Sequence, residues 1–303
     1  MRRPDDSISV SQQTAIRRLA EKALQEADAI GRFPTPVADV LAAANVVVSD
    51  EQVLDESFLA GLRKQAGAAL RRALSKVLGV LDVAGRVIYL DRSIHAVKQT
   101  FLTLHEAAHA VLPWQRKMFV VAEDCQMTIA PEISEVFERE ANAFASEVLF
   151  QIDQFSNEAE DHEFGIFVPV KLGKRYGASI YSSVRRYVSG NRRACAVLVL
   201  EPPEICPIRG CVAKFRRVVD SPSFRRSIGP IDWPDEFTPD DSIGSLVPLG
   251  GRKWSRPREI VVIDYRGTKH RCVAEAFTQQ YQVFVLIHAV DVPMCEFAEL
   301  LSV

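Results

Sequence analysis

The chain has 303 residues, 48% hydrophobic and 25% charged, with a formal net charge of −2. That length buries a sizeable core and leaves room for two or three domains. No apolar run is long enough to span a bilayer. MRRPDDSISVSQQ carries positive residues without an apolar signal region behind them, so the expected location is the cytoplasm, with no membrane partner.

The charge is unevenly placed. Residues 1–163 hold 17 basic and 25 acidic side chains, residues 164–194 hold 7 and none, and residues 195–303 hold 13 and 14. These shifts divide the chain into a tail over 1–10, a first domain over 11–160, a basic segment over 161–194 and a last domain over 195–303. The six cysteines (Cys125, Cys195, Cys206, Cys211, Cys272 and Cys295) form no CxxC pair and are expected to be reduced thiols.

In chain order, residues 11–30 predict an amphipathic helix with Ser11 as its cap. Phe33-Pro34-Thr35-Pro36 breaks it, a short helix follows over Val37–Ala44, and Val46-Val47-Val48 is strand-like. Residues 57–75 predict a helix with a basic, solvated face. VLGVLD and VIYLD flank Val83-Ala84-Gly85-Arg86 as a hairpin.

The next stretch carries the chemistry. Residues 94–112 predict one helix, stopped by Pro113, that contains His105-Glu106-Ala107-Ala108-His109. Two histidines four residues apart share a helix face, so both imidazoles can reach one metal ion. Glu106 lies about 100° round the helix from the first histidine, where its carboxylate can act as a base beside the metal rather than as a ligand. Downstream, PEISEVFEREANAFASEVLF predicts a second helix from Pro131. Glu138 and Asn142 share a face that borders its apolar stripe, so Glu138 can supply a third ligand if the helices pack antiparallel. Asn142 can then hydrogen-bond a ligand imidazole. Glu140 falls on another side. The competing reading is a solvated acidic face, since Glu132, Glu135, Glu138, Glu140 and Glu147 are all present.

HEAAHAVL, followed after a strand-like segment by EREANAFASEVL, resembles the ImmA/IrrE metallo-endopeptidases, which are gluzincin-type HExxH enzymes. The resemblance covers roughly residues 10–200 by motif order. It implies an α+β protein with a zincin-like N-terminal peptidase domain. His105, His109 and Glu138 would be ligands to Zn²⁺, with Mn²⁺ the alternative ion. Glu106 would be the catalytic base and Asn142 would support the ligands. The implied substrate is a helix-turn-helix transcriptional repressor whose cleavage derepresses stress-response or mobile-element genes. One departure is Leu149-Phe150-Gln151, where such proteins often have Leu-Met-Pro.

Within the basic segment, VPVKLGKRYGASIYSSVRRYVSGN predicts helix, turn at Gly177, helix, with spacing like a helix-turn-helix. Its candidate nucleic-acid contacts are Lys171, Lys174, Arg175, Arg185 and Arg186, with Arg192 and Arg193 beyond them. DNA is therefore a competing partner, and a non-catalytic DNA-binding regulator with a structural metal site is the alternative function. From Cys195 the pattern turns to strands: CAVLVL, CVAKFRRVV, EIVVIDY, CVAEAF and YQVFVLIHAV. Pro- and Asp-rich loops separate them, and a short helix over Pro293–Leu301 ends the chain. This α+β region is similar to the GAF-like sensory domain found with IrrE proteins. The sequence names neither a ligand for it nor an oligomeric state.

Overall fold

In a computed structural model, which describes residues 8–50, 79–82, 85–124 and 130–292, helices and sheets are combined in an α+β architecture. The chain forms two compact units, Met1–Phe155 with Lys174–Ser179, and Ser156–Gly173 with Ile180–Val303. The helices expected over 57–75 and over Pro293–Leu301 lie outside the described residues.

The first unit opens with α1 (Val10–Glu26). Its cap is Ser9 rather than Ser11, because Ser9-x-x-Gln12 makes a capping box. The Ser9 hydroxyl accepts from the Gln12 N–H at 3.3 Å, and the Gln12 side-chain oxygen accepts from the Ser9 N–H at 3.2 Å. Next come α2 (Val37–Ala43) and a small sheet of β1 (Val47–Val48), β2 (Gly79–Asp82) and β3 (Val87–Leu90). The strand order is β1-β3-β2, with β1 parallel and β2 antiparallel to β3. Ile88 and Leu90 point from β3 into a core shared with Leu41, Val46, Ala107 and Ala110.

The helix α3 (Ala96–Val111) ends where Leu112 turns extended ahead of Pro113. A new helix, α4 (Pro113–Asp124), starts at once, where the sequence suggested a strand-like segment. A short apolar run such as Met118-Phe119-Val120-Val121 does not separate strand from helix by periodicity. Proline at the first helical position, with its φ already set, favours the helix. The long helix α5 (Pro131–Leu149) buries Phe137, Ala141, Phe144, Ala145 and Val148. It packs against both α3 and α1, whose inward stripe is Ile16, Ala20, Ala23 and Leu24. Three polar contacts fix the α1 register: Gln12 Nε2 to Glu140 Oε1 at 2.9 Å, Gln13 Nε2 to Glu147 Oε1 at 3.2 Å and an ion pair between Arg17 and Asp153.

Gln151 closes this bundle. Its backbone is left-handed (φ 48°) and its side chain is buried. The side-chain oxygen accepts from the Gly31 N–H at 2.7 Å, and its NH2 donates to the carbonyls of Ala29 and Arg32 at 3.0 and 2.7 Å. The glutamine that replaces the expected proline thus ties the end of α5 to the loop after α1.

At the boundary of the units lies α6 (Gln154–Glu160). It is followed by α7 (Phe167–Tyr176), a left-handed Gly177 and α8 (Ile180–Ser189). The second unit is built on an antiparallel sheet of β4 (Cys195–Leu200), β5 (Glu204–Cys206), β6 (Gly210–Asp220), β7 (Glu236–Phe237), β8 (Arg258–Ile263), β9 (Lys269–Gln279) and β10 (Gln282–Ala289). Its order is β5-β6-β4-β10-β9-β8, with β7 on β6. Every residue of β4 is buried, as its unbroken apolar run CAVLVL requires of a central strand covered on both faces. The 220–250 stretch carries α9 (Pro222–Ser227), capped by Ser221, whose Phe224 enters the sheet core. Cys195, Cys206, Cys211 and Cys272 are free thiols.

Candidate metal centre

Helix α3 presents His105 and His109 one turn apart, both almost fully buried, with ring centroids 5.1 Å apart. Helix α5 runs past in the opposite sense. His105 meets Asn142 and Glu138, and His109 meets Glu138. The Nε2 of His105 is 3.1 Å from Glu138 Oε2, and that of His109 is 3.7 Å from Glu138 Oε1. One ligand atom from each of the three residues lies within 4.8 Å of the other two. The two nitrogen–oxygen separations bracket the edge of about 3.4 Å that a tetrahedron with metal–ligand bonds of roughly 2.1 Å would have. Two imidazole nitrogens and one carboxylate on a partly exposed side chain are a donor set that suits a divalent zinc-like ion.

The far nitrogens of both rings are occupied. His105 Nδ1 lies 3.1 Å from Asn142 Oδ1, and His109 Nδ1 lies 2.7 Å from Gln115 Oε1. With both Nδ1 atoms donating, the Nε2 atoms face Glu138. Burial alone would depress the His105 pKa, but its hydrogen bond to Glu138 and that carboxylate's charge carry it above the ordinary value. His109 is held below the ordinary value by burial and by the charge of His105. The hydrogen bond from His105 in turn lowers Glu138. Without metal, a proton on His105 therefore neutralises the carboxylate, and a bound cation would replace it.

Glu106 sits beside this triad without joining it. Burial raises its pKa to about 7, offset in part by His105 and reinforced by Glu138. It rests against Gly79 of β2, where an added Cβ would come within 3.0 Å of Glu106 Oε1 and 3.1 Å of its Cγ. Leu90 Cδ2 would be equally close, at 3.1 Å, so a glycine at 79 leaves room for both side chains.

Sequence reasoning missed three participants. Gln115 lies on α4, beyond the proline, and is fully buried. Glu140 does point away from the ligands, as its helix position required, but it is 1% exposed rather than solvated. Gly79 carries no side chain to signal its role. The sequence Trp114-Gln115-Arg116-Lys117 gives no hint that its glutamine is fully buried.

The basic residues lie on the two helices α7 and α8. Lys171, Lys174 and Arg175 are exposed, whereas Arg185 and Arg186 are half-buried. Lys174 and Arg175 group with the first unit, and Lys171, Arg185 and Arg186 with the second. Arg175 lies over the Phe33 ring at 4.8 Å. On α8, Ser183, Val184, Tyr187 and Val188 are buried, and the Tyr181 hydroxyl accepts from Arg217 of β6 at 3.0 Å. The helix is packed on its own sheet.

Residues 64–186 match the family model of the IrrE N-terminal-like domain, a peptidase family, which bears out the resemblance read from the motifs. Among solved structures, a Mycobacterium tuberculosis transcriptional regulator is similar at 15% identity with a TM-score of 0.48, over 91% of this chain and 76% of that one. No curated protein matches. Among the described residues, no helix is long and apolar enough to cross a membrane.

Proposed function

We propose that the protein is a cytoplasmic metallo-endopeptidase that cleaves a protein substrate, a helix-turn-helix transcriptional repressor by family likeness, and so derepresses stress-response or mobile-element genes. The observation that carries this reading is the division of labour at one point. Two histidine Nε2 atoms and Glu138 converge, while a separate buried carboxyl, Glu106, stands beside them. A zinc or manganese ion held by His105, His109 and Glu138 would supply Lewis-acid activation of water and of the scissile carbonyl. Glu106 takes the proton of the attacking water and passes it to the leaving amine. Burial already lifts this carboxyl to about 7 in the metal-free site, the direction in which a general base and acid is tuned for work at neutral pH. Asn142 and Gln115 hold the two rings in the orientation that presents Nε2.

The second unit would serve as a GAF-like sensory domain that governs this activity. The second reading, a DNA-binding regulator with a structural metal, draws on the seven basic and no acidic residues of 164–194. One substitution separates the two. Glu106→Gln keeps all three ligands and removes only the proton acceptor, a loss of about a hundredfold to ten-thousandfold in rate. Gels of a repressor encoded beside the gene, co-expressed with the wild type, should show cleavage that Glu106→Gln and chelation both abolish. Undiminished cleavage by Glu106→Gln would end the peptidase reading.

A further inference from the structure

We infer that Gln115 and Glu140 are positioning residues that together fix His109 in its metal-binding tautomer. Imidazole binds a metal through whichever nitrogen lacks a proton, and the partner of the other nitrogen decides which one that is. Here the partner is an amide, which could offer either oxygen or nitrogen. Its surroundings remove the choice. The NH2 of Gln115 lies 2.7 Å from Glu140 Oε2 and 3.2 Å from the carbonyl of Phe137, both of which only accept. A flipped amide would set its oxygen against two acceptors and its NH2 against His109. The amide oxygen therefore faces His109, Nδ1 must carry the proton, and the Nε2 lone pair is left open.

Glu140 is the anchor of this arm. It is 1% exposed, makes no hydrogen bond to either histidine, and accepts three hydrogen bonds from two other helices. Gln12 of α1 donates to Oε1 at 2.9 Å, while Trp114 Nε1 and Gln115 Nε2 of α4 donate to Oε2, each at 2.7 Å. A buried carboxylate so fully engaged cannot turn to serve as a ligand. What it supplies is an oriented acceptor, passed on to His109 through one glutamine. The familiar pairing of carboxylate with metal-bound histidine is thus extended by an amide.

This inference rests on His109 being a ligand, but its tests do not need peptidase activity. In the metal-free full chain, histidine ¹⁵N NMR should report His109 protonated at Nδ1. Gln115→Met, which keeps the volume and removes the acceptor, should yield a mixture of tautomers. Zinc affinity measured by chelator competition should fall about tenfold to a hundredfold in Gln115→Met. Glu140→Met should show the same two changes. Glu140→Gln should rescue both, because its oxygen can still accept from Trp114 and Gln115, and only the contact to Gln12 is lost. Should Gln115→Met keep the Nδ1–H tautomer and bind zinc within threefold of the wild type, the inference is wrong. An equal loss in Glu140→Gln and Glu140→Met would likewise overturn it, by showing that charge rather than orientation matters. A wild type that binds zinc tightly and cleaves nothing would sink the peptidase reading and leave this one standing.

Discussion

The candidate metal centre and the basic segment were both marked in the sequence by clusters of chemically similar residues, but only the first pattern carries a geometry. His105, His109 and Glu138 meet at a point. Lys171, Lys174, Arg175, Arg185 and Arg186 lie on two successive helices, α7 and α8, the first three exposed and the last two half-buried. The difference lies in what each pattern encodes. A four-residue spacing on a helix fixes direction as well as identity, and a ligand's reach is short, so the pattern is already a geometry. A run of positive charge fixes composition only. Long side chains can satisfy it by lying over an aromatic ring, as Arg175 does over Phe33.

The comparison breaks most readily at a ligand. His105→Ala should leave no stoichiometric zinc after purification without chelators, as measured by metal analysis, and should abolish cleavage with it. Full zinc occupancy in that variant would mean that the convergence of the three residues is not a metal site.

A smaller effect tests how tightly the centre is built. Gly79→Ala brings a methyl group to 3.0 Å from Glu106 Oε1 and 3.1 Å from Leu90 Cδ2, so these side chains must give by a few tenths of an ångström. Turnover should fall about tenfold to a hundredfold with zinc affinity unchanged, since small misplacements of a reacting group are enough for that. Parallel losses of zinc and turnover would place the glycine's role in folding instead.

Protonation offers a subtler measure. In the metal-free protein Glu106 titrates at about 7 and His105 above its ordinary value, so both hold protons just below neutrality. Zinc binding should release protons, and its affinity should rise with pH through this range. Calorimetry in buffers of different ionisation enthalpy reads the number directly, and release should diminish above pH 7. The sign for stability follows from the same shift. Glu106 has a folded pKa above its ordinary 4.5, so the metal-free protein should lose stability as pH rises from 4.5 through about 7. A bound cation should reverse that loss.

The smallest expected effect is at the basic segment. Changing Arg185 and Arg186 to Glu should leave cleavage nearly intact. If the segment does contact DNA, the change should remove a salt-sensitive mobility shift with genomic fragments. A shift that is present in the wild type and unaffected by the double substitution would place any DNA contact elsewhere.

What the sequence made legible follows the same division. The HExxH spacing, the second helix and the preference for Glu138 over Glu140 all derive from helical periodicity, and the structure places those side chains as that periodicity requires. Gln115 was illegible because its partner lies across a helix break, and no local repeat links residue 115 to 109 or 140. Glu140 was read correctly as facing away from the ligands. Its burial depends on three donors, one of them from residue 12, and burial of that kind is a property of packing rather than of neighbours in the chain. The Ser9 cap was missed by two residues although its box, Ser9-x-x-Gln12, stands in the sequence.

Gln12 has one more consequence, because it sits far outside the stretch that family likeness detects. The match begins at residue 64, well after α1, and stops at 186, within α8. A fragment trimmed to those limits would lose the helix that packs along α5, release one of the three donors that hold Glu140, and end in the middle of a helix. The inherited signature and the unit able to stand alone in water are therefore different objects. Any dissection of this molecule has to keep the helix that similarity overlooks.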